Sequence, residues 1–234
     1  ACFQLVLWNP DADEIIGGYR FTRWGLASFR ENGQPYVNTE HLFDFSQEFI
    51  DKYFPSCVEM ARAFVQPKYQ SVQGGRKALF ALDNLWDGIG GIVATDPSVK
   101  YLSGKVTIYS TSPEMSRKAM VYYLDKSFGD RNGWITSKNP ETCTPEQAAF
   151  FEQLFTGEDY KENYKILNNY VKSLGDSIPP FIHLYIGLSP TMRTFGTTFD
   201  PDFGDCYDTA MMITIADIYP EKYERYIDSY WKNK

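Results

Sequence analysis

The chain has 234 residues, of which 43% are hydrophobic and 23% are charged, a composition typical of folded globular proteins. Its length fits one domain, so we expect a single domain over residues 1–234. The net charge of −7 at pH 7 argues against nucleic-acid binding, because phosphates require a basic surface. Two histidines, His41 and His183, are too few for a metal centre built from several imidazoles, and no metal site is expected.

The cysteines and the apolar runs indicate the compartment. The cysteines are Cys2, Cys57, Cys143 and Cys206. They form no C-x-x-C pair, so free thiols in a reducing cytoplasm are the simplest interpretation. No run approaches the roughly 18 apolar residues that span a bilayer, and no signal peptide opens the chain. Because a strand-like run begins almost at Ala1, we expect further residues ahead of it in the whole protein.

Hydrophobic periodicity and turn residues define the predicted elements of the first half of the chain. These are a hairpin of strands at 3–8 and 14–21, a helix at 44–53, a buried strand at 57–65 and a helix at 77–89. Asp44 and Gln47 form a predicted capping box for the first helix. Pro67 ends the buried strand, and the Gly90-Gly91 pair is expected to end the second helix.

The second half continues the alternation of strands and helices. The predicted strands lie at 101–110, after the turn at 130–133, at 194–198 and at 209–215. One predicted helix ends at 128, a second begins after 144, a third spans 158–174 and a last one begins at Pro220. A short helix or turn is predicted at 178–188. Ser112 is the predicted N-cap of the helix that ends at Gly129. Thr144 and Gln147 form a capping box. This order predicts an α/β or α+β fold with a mixed sheet.

The turn between the buried strand and the following helix is a candidate anion site. The first turn of a helix has unpaired N–H groups and a partial positive charge, and glycines let a phosphate approach the backbone. The candidate binding residues in this turn are Gln70, Gly74, Gly75 and Arg76.

This strand, turn and helix resemble motif A of the GNAT acyltransferases. Gln70, Gly75 and the following helix match that motif, whereas Gln73 replaces one of its glycines. The segments 85–90, 96–108, 178–180 and 188–196 are similar to the hemolysin-labelled branch of the superfamily, which contains ornithine and glycine N-acyltransferases. Segments 17–20, 64–65 and 81–87 most resemble the glycine N-acyltransferases of the Bacteroides type.

The resemblance implies a fold, a reaction and partners. The fold would be GNAT-like, with a mixed, mostly antiparallel central sheet flanked by helices. The reaction would move a 3-hydroxy fatty acyl group from acyl carrier protein to the amine of glycine or ornithine, in aminolipid synthesis. The cosubstrate would be acyl-carrier phosphopantetheine or acyl-CoA, with no permanently bound cofactor. The protein would be cytoplasmic, with peripheral contact to the inner membrane, and its relatives carry an N-terminal segment whose acidic residues face the acceptor.

Glu59 and Arg62 are the candidate catalytic residues, and the same Glu-x-x-Arg spacing occurs in acyl-homoserine-lactone synthases. Acylation of an amine requires removal of an ammonium proton, which a partly buried carboxylate can accept. Arg62 can hold Glu59 or the carboxylate of the acceptor. Backbone N–H groups around Phe64 and Val65 are expected to stabilise the oxyanion. Strand alternation puts Glu59 and Arg62 on opposite faces, so we expect a β-bulge between them.

Other interpretations remain open at this stage. The protein could be a small-molecule GNAT that uses acetyl-CoA, or a non-enzymatic protein of the hemolysin type. Glu59 and Arg62 could form a structural ion pair, and 70–76 could be an ordinary capped helix start. Both histidines are expected to be packing or surface residues. Leu82, Leu85 and Trp86 are expected to be core residues.

Overall fold

The computed structural model describes residues 2–70 and 76–232. The strands are β1 (Cys2–Asn9), β2 (Glu14–Arg23), β3 (Phe43–Phe45), β4 (Cys57–Val65), β5 (Tyr101–Ile108), β6 (Ile135–Ser137), β7 (Arg193–Asp200) and β8 (Cys206–Thr214). The helices are α1 (Gln47–Lys52), α2 (Pro67–Gln70), α3 (Arg76–Thr95), α4 (Glu114–Phe128), α5 (Pro145–Leu154), α6 (Tyr160–Ser173), α7 (Pro180–Ile186), α8 (Pro220–Tyr223) and α9 (Ser229–Lys232). A π-helical turn, Glu224–Asp228, joins α8 to α9.

The central sheet has the strand order β1-β2-β4-β5-β8-β7. The β4–β5 pair is parallel, and each of the other neighbouring pairs is antiparallel. A separate two-stranded sheet joins β3 to β6. The predicted mixed, mostly antiparallel sheet flanked by helices is therefore confirmed.

Each face of the central sheet is covered by its own apolar core. Val58 and Met60 of β4 pack with Leu85 and Trp86 of α3 on one face. On the opposite face, Cys57 packs in an aromatic cluster that includes Trp24. The alternation of β4 side chains explains this division, since successive residues of a strand point to opposite sides. Leu85 and Trp86 are core residues, as predicted.

The predicted end of the long helix is wrong, because α3 continues through Gly90 and Gly91 to Thr95. A Cβ atom at Gly90 would lie 1.7 Å from the carbonyl oxygen of Tyr226 in the π-helical turn. Gly90 therefore permits close packing of α3 against the C-terminal segment instead of ending the helix. Within the described part of the chain, no helix is long and apolar enough to cross a bilayer.

Two predicted N-caps are also wrong. Asp44 lies in β3, and the side chain of Ser46 caps α1 by accepting the backbone N–H of Phe49. The N-cap of α4 is Pro113, not Ser112, and it makes no side-chain cap bond. The capping box of Thr144 and Gln147 is confirmed at the start of α5.

Candidate active site

The central sheet opens between β4 and β5. The parallel pairing runs from Cys57 opposite Tyr101 to Met60 opposite Gly104. Beyond this point β4 continues to Val65 and β5 to Ile108, with no further pairing between them among the described residues. The gap exposes backbone and side chains of both strands to a common space, where a substrate can lie between them.

A β-bulge begins where the two strands part. Ala61 pairs with Arg20 of β2, but Phe64 pairs with Gly18, so β4 has one extra residue in this interval. Arg62 lies in the left-handed region with φ of 53°, which is uncommon for a residue with a side chain. The expected bulge is thus present, but it contains Arg62 instead of preceding it.

Glu59 is almost fully buried, with 1% of its surface exposed. Its Oε1 accepts a hydrogen bond from the Thr39 hydroxyl at 2.5 Å. Its Oε2 accepts one from Trp24 Nε1 and one from the Asn38 backbone N–H, each at 3.2 Å. Among the described residues Glu59 makes no ion pair with Arg62. The carboxylate instead anchors the segment that follows residue 37 to the buried end of β4.

A cleft of about 100 Å³ lies at the gap between the strands. Its lining includes Met60, Ala61 and Arg62 from β4, Lys105 and Thr107 from β5, Asp208 from β8, and Asn38, His41, Asp200, Asp202 and Phe203 from loops and strand ends. The Arg62 guanidinium lies 4.6 Å from the centre of the Phe203 ring. It has no ion-pair partner among the described residues, so it is available to a ligand's carboxylate.

The floor of the cleft is a buried ionic network centred on Lys105. Its ammonium lies 3.0 Å from Asp208 Oδ2 and 3.6 Å from Asp200 Oδ2. Thr107 donates a hydrogen bond to Asp208 Oδ1 at 2.7 Å. Asp200 is 1% exposed and Asp208 is 2% exposed. Buried charges are tolerated in proteins when they are paired with opposite charges. In this network two carboxylates share one lysine.

His41 lies at the mouth of this network. Its Nδ1 is 2.6 Å from the Asn38 carbonyl oxygen, and its Nε2 is 3.1 Å from Asp200 Oδ2. The ring is 39% exposed. Because Glu59 binds the backbone N–H of Asn38, it holds the residue that orients the imidazole. Glu59 and His41 are therefore linked through one short loop.

The thiols near this site are protonated. Burial, together with the nearby Asp208 and Asp200 carboxylates, raises the pKa of Cys206 to about 12. Burial, and then the neighbouring Glu59, raises the pKa of Cys57 well above its usual range. A protonated thiol is a poor nucleophile, so the site is not arranged for a cysteinyl acyl intermediate.

The predicted donor-binding residues are only partly described. Phe64 is 49% exposed and pairs with Gly18, whereas Val65 is buried and pairs with Gly17. The Gln70 side-chain amide donates to the Val65 carbonyl. Arg76 is the first residue of α3, and its side chain is not described. The predicted contacts of Gly74 and Gly75 lie outside the described residues.

Five titratable residues of the cleft were not among the predicted site residues: His41, Lys105, Asp200, Asp202 and Asp208. Two of them carry a signal that periodicity can detect. Lys105 and Asp208 lie in the interior of β5 and β8, strands in which most residues are buried. A charge at such a position requires a buried partner, which marks it as a candidate site residue. His41 and Asp200 have no comparable local signal, because their partners lie far apart in the sequence.

Comparison with known proteins gives a consistent assignment. An acetyltransferase (GNAT) domain model matches residues 1–78. A glycine N(alpha)-acyltransferase of Phocaeicola vulgatus is 44% identical over 229 residues, which cover 98% of this chain and 70% of that protein. The protein of the same name from Bacteroides thetaiotaomicron is 43% identical over 230 residues, covering 97% of this chain and 67% of that protein.

Two solved structures show a weaker similarity to this chain. An aminoglycoside 6'-N-acetyltransferase complexed with coenzyme A has a TM-score of 0.36 and 10% identity, over 91% of this chain and 72% of that one. The GphF GNAT-like decarboxylase in complex with isobutyryl-CoA also has a TM-score of 0.36, with 13% identity over 90% of this chain and 77% of that one.

Proposed function

This chain belongs to the glycine N(alpha)-acyltransferase family and is an N-acyltransferase, and we propose that its reaction moves a 3-hydroxy fatty acyl group from acyl carrier protein to the amine of glycine. Ornithine is the other acceptor to be considered. The product, an N-acylated amino acid, would be a precursor of an aminolipid. The enzyme would therefore make peripheral contact with the membrane that receives its product.

The observation that carries this proposal is the pairing of charges across the cleft. Arg62 offers a guanidinium without an ion-pair partner among the described residues. The network of Lys105, Asp200 and Asp208 holds one more negative charge than positive charge. An amino acid zwitterion fits this arrangement, with its carboxylate at Arg62 and its ammonium at the acids.

The position of the cleft suits direct transfer. The thioester carbonyl would lie in the gap between β4 and β5, where backbone N–H groups near the bulge and around Phe64 and Val65 can stabilise the oxyanion. The amine attacks the carbonyl carbon, the new C–N bond forms, and the C–S bond breaks. Residues 70–76 remain the proposed contact for the phosphopantetheine phosphate, next to the N-terminus of α3. Glu59 contributes by positioning the loop that carries Asn38.

The donor and the acceptor are tested by mass spectrometry of reaction products. The purified whole protein is incubated with 3-hydroxyacyl carrier protein, the matching acyl-CoA or acetyl-CoA, each with glycine or ornithine. We expect N-acylglycine with the carrier-protein donor. A strong preference for acetyl-CoA would instead identify a small-molecule acetyltransferase, and the absence of any acylated amine would refute the proposal.

The role of Arg62 is tested by a substitution that keeps its backbone environment. Removing a charge-assisted hydrogen bond costs about 1.5–3 kcal/mol, so Arg62→Met should raise the KM for glycine by roughly 10–150-fold. Methylamine lacks the carboxylate, so its acylation should be unaffected. Arg131→Met is the matched control, because Arg131 is 65% exposed at the end of α4. An equal loss with both amines would contradict carboxylate binding by Arg62.

A further inference from the structure

The two ring nitrogens of His41 both face acceptor oxygens. Nδ1 is 2.6 Å from the Asn38 carbonyl, and a carbonyl can only accept, so this nitrogen carries a proton. Nε2 is 3.1 Å from the buried Asp200 carboxylate, which also accepts. Both contacts are favourable only when the ring is doubly protonated. The geometry therefore accommodates a ring that carries a proton on each nitrogen.

Asp200 is held in place independently of His41. Its Oδ1 accepts the backbone N–H of Asp202 at 3.1 Å, and its Oδ2 lies 3.6 Å from Lys105. Lys105 is shared with Asp208, so the inner network keeps a net charge of −1. His41 neutralises this charge when it is protonated. When the ring is neutral, another cation is needed at Asp200 Oδ2, within reach of the Nε2 lone pair.

The ammonium of an acceptor amino acid is a cation of the required kind, and both Asp200 and His41 line the cleft proposed to hold the acceptor. We infer that His41 is the general base of the reaction, with Asp200 binding the acceptor ammonium beside it. This inference rests on the proposed function. The ammonium donates one N–H to Asp200 and one to Nε2, and Nε2 then takes the proton. In the doubly protonated His41 that results, each N–H group faces one of the two acceptor oxygens that the structure places beside the ring.

The protons balance over one turnover. The first ammonium proton moves to His41 Nε2, and the neutral amine attacks the thioester carbon. The second proton leaves the nitrogen as the C–N bond forms, and it goes to the sulfur of the departing thiolate. His41 then releases its proton to solvent through its exposed edge. The bond to Asn38 keeps the proton on Nδ1 throughout, so that Nε2 is the basic nitrogen.

The charged groups around His41 come from several elements. Asp200 faces it from the end of β7, and Lys105 of β5 and Asp208 of β8 lie behind Asp200. Arg62 of β4 and Asp202 share the cleft. The charge around His41 is therefore set jointly by residues of β4, β5, β7, β8 and the loop that carries Asp202.

The first test is kinetic. His41→Gln should lower kcat/KM for glycine by about 10²–10⁴-fold and remove the acidic limb of the pH–rate profile. An amine that is already unprotonated at the assay pH, such as aminoacetonitrile, needs no base, so its acylation should fall far less. His183→Gln is the matched control, since His183 of α7 contacts Tyr164 and is not part of the cleft lining. A wild-type pH profile in His41→Gln would overturn the inference.

The second test does not depend on activity. The chain has two histidines, so nitrogen NMR of the wild-type protein and of His183→Gln assigns both rings. We expect His41 Nδ1 to carry a proton, and Asp200→Asn to shift the Nε2 signal of His41 but neither signal of His183, because Nε2 contacts Asp200. An Nδ1 without a proton, or an Nε2 signal that Asp200→Asn leaves unchanged, would overturn the inference. If no amine is acylated, the proposed function fails while these signals still test the contacts of His41.

Discussion

The two faces of the central sheet differ in whether their buried polar atoms have hydrogen-bond or ion-pair partners. On the cleft face, Glu59 has three hydrogen-bond donors, and Asp200 and Asp208 share Lys105. On the face that packs against α3, the Tyr19 hydroxyl and Trp86 Nε1 are buried without a hydrogen-bond partner in the described part of the structure. The first face combines an aromatic cluster with this polar network, and the second is an apolar core with two unpaired polar atoms. A third unpaired polar atom, Ser137 Oγ, lies in β6.

This difference separates side chains that hold a charge beside the cleft from side chains that contribute apolar packing. A connected network can hold several ionised side chains beside a substrate, because each charge has a partner. The tyrosine and tryptophan on the other face contribute mainly apolar surface. Substitutions on the cleft face should therefore lower the free energy of unfolding because ion pairs and hydrogen bonds are lost. Substitutions on the α3 face should lower it because apolar packing is lost.

The largest effect is expected at Lys105. Lys105→Met leaves two buried carboxylates without their shared cation, which should lower the free energy of unfolding by about 3–5 kcal/mol. Urea denaturation measures this change. Lys52→Met is the control, because Lys52 pairs with Glu48 on the exposed surface of α1 and should show little change. Adding Asp208→Asn to Lys105→Met should restore part of the loss, and the absence of any recovery would contradict the pairing.

The second effect tests close packing on the α3 face. A methyl group at Gly90 would overlap the Tyr226 carbonyl, so Gly90→Ala should cost about 3 kcal/mol despite the better helix propensity of alanine. Gly88 is the matched position, because a Cβ there would meet the mobile end of the Leu5 side chain at 2.8 Å. Gly88→Ala should change stability by less than about 1 kcal/mol. Equal costs for the two variants would argue against a backbone clash.

The third effect compares a paired polar atom with an unpaired one. Thr39→Val keeps the shape of the side chain but removes the hydroxyl that binds Glu59, so it should cost about 2 kcal/mol. Tyr19→Phe removes a hydroxyl that has no partner among the described residues, so it should be neutral or stabilising by up to about 1 kcal/mol. Denaturation of both variants at neutral pH tests the contrast between the faces. A similar cost for both would remove that contrast.

Local patterns in the sequence predict most of the elements but not the composition of the cleft. A short apolar run, interrupted only by Glu59 and Arg62, predicted β4, and the capping box of Thr144 predicted α5. The end of α3 could not be predicted, because Gly90 is explained by contact with Tyr226, more than 130 residues away. The same holds for the pair of His41 and Asp200, which are 159 residues apart. Residues that meet only in the folded chain leave no periodic signal.

Glu59 illustrates the limit for single residues. Its presence in an apolar strand predicts a buried carboxylate with polar partners, and the structure shows it buried with three hydrogen-bond donors. The sequence does not reveal that Trp24, Asn38 and Thr39 supply its hydrogen bonds. A catalytic carboxylate and a positioning carboxylate therefore look alike until the partners are known. A proton-transfer role for Glu59 in the reaction stays a prediction.

The smallest effect is a pH dependence confined to alkaline solution. Burial, and then the nearby Tyr185, raises the pKa of Tyr19 well above its usual range. The unfolded chain loses this phenolic proton near pH 10, whereas the folded chain keeps it, so the unfolded state binds fewer protons above that pH. The contribution of Tyr19 to stability is therefore complete below about pH 10 and declines as the pH rises.

Denaturation between pH 9 and pH 11.5, roughly the range around the tyrosine pKa, measures this decline. For Tyr19→Phe the loss of stability per pH unit should be smaller than for the wild type by at most about 1.4 kcal/mol. Tyr109→Phe should keep the wild-type slope, because the Tyr109 side chain is exposed. An unchanged slope in Tyr19→Phe would mean that the hydroxyl finds water or a partner in solution. In that case the α3 face would hold polar atoms by pairing, as the cleft face does.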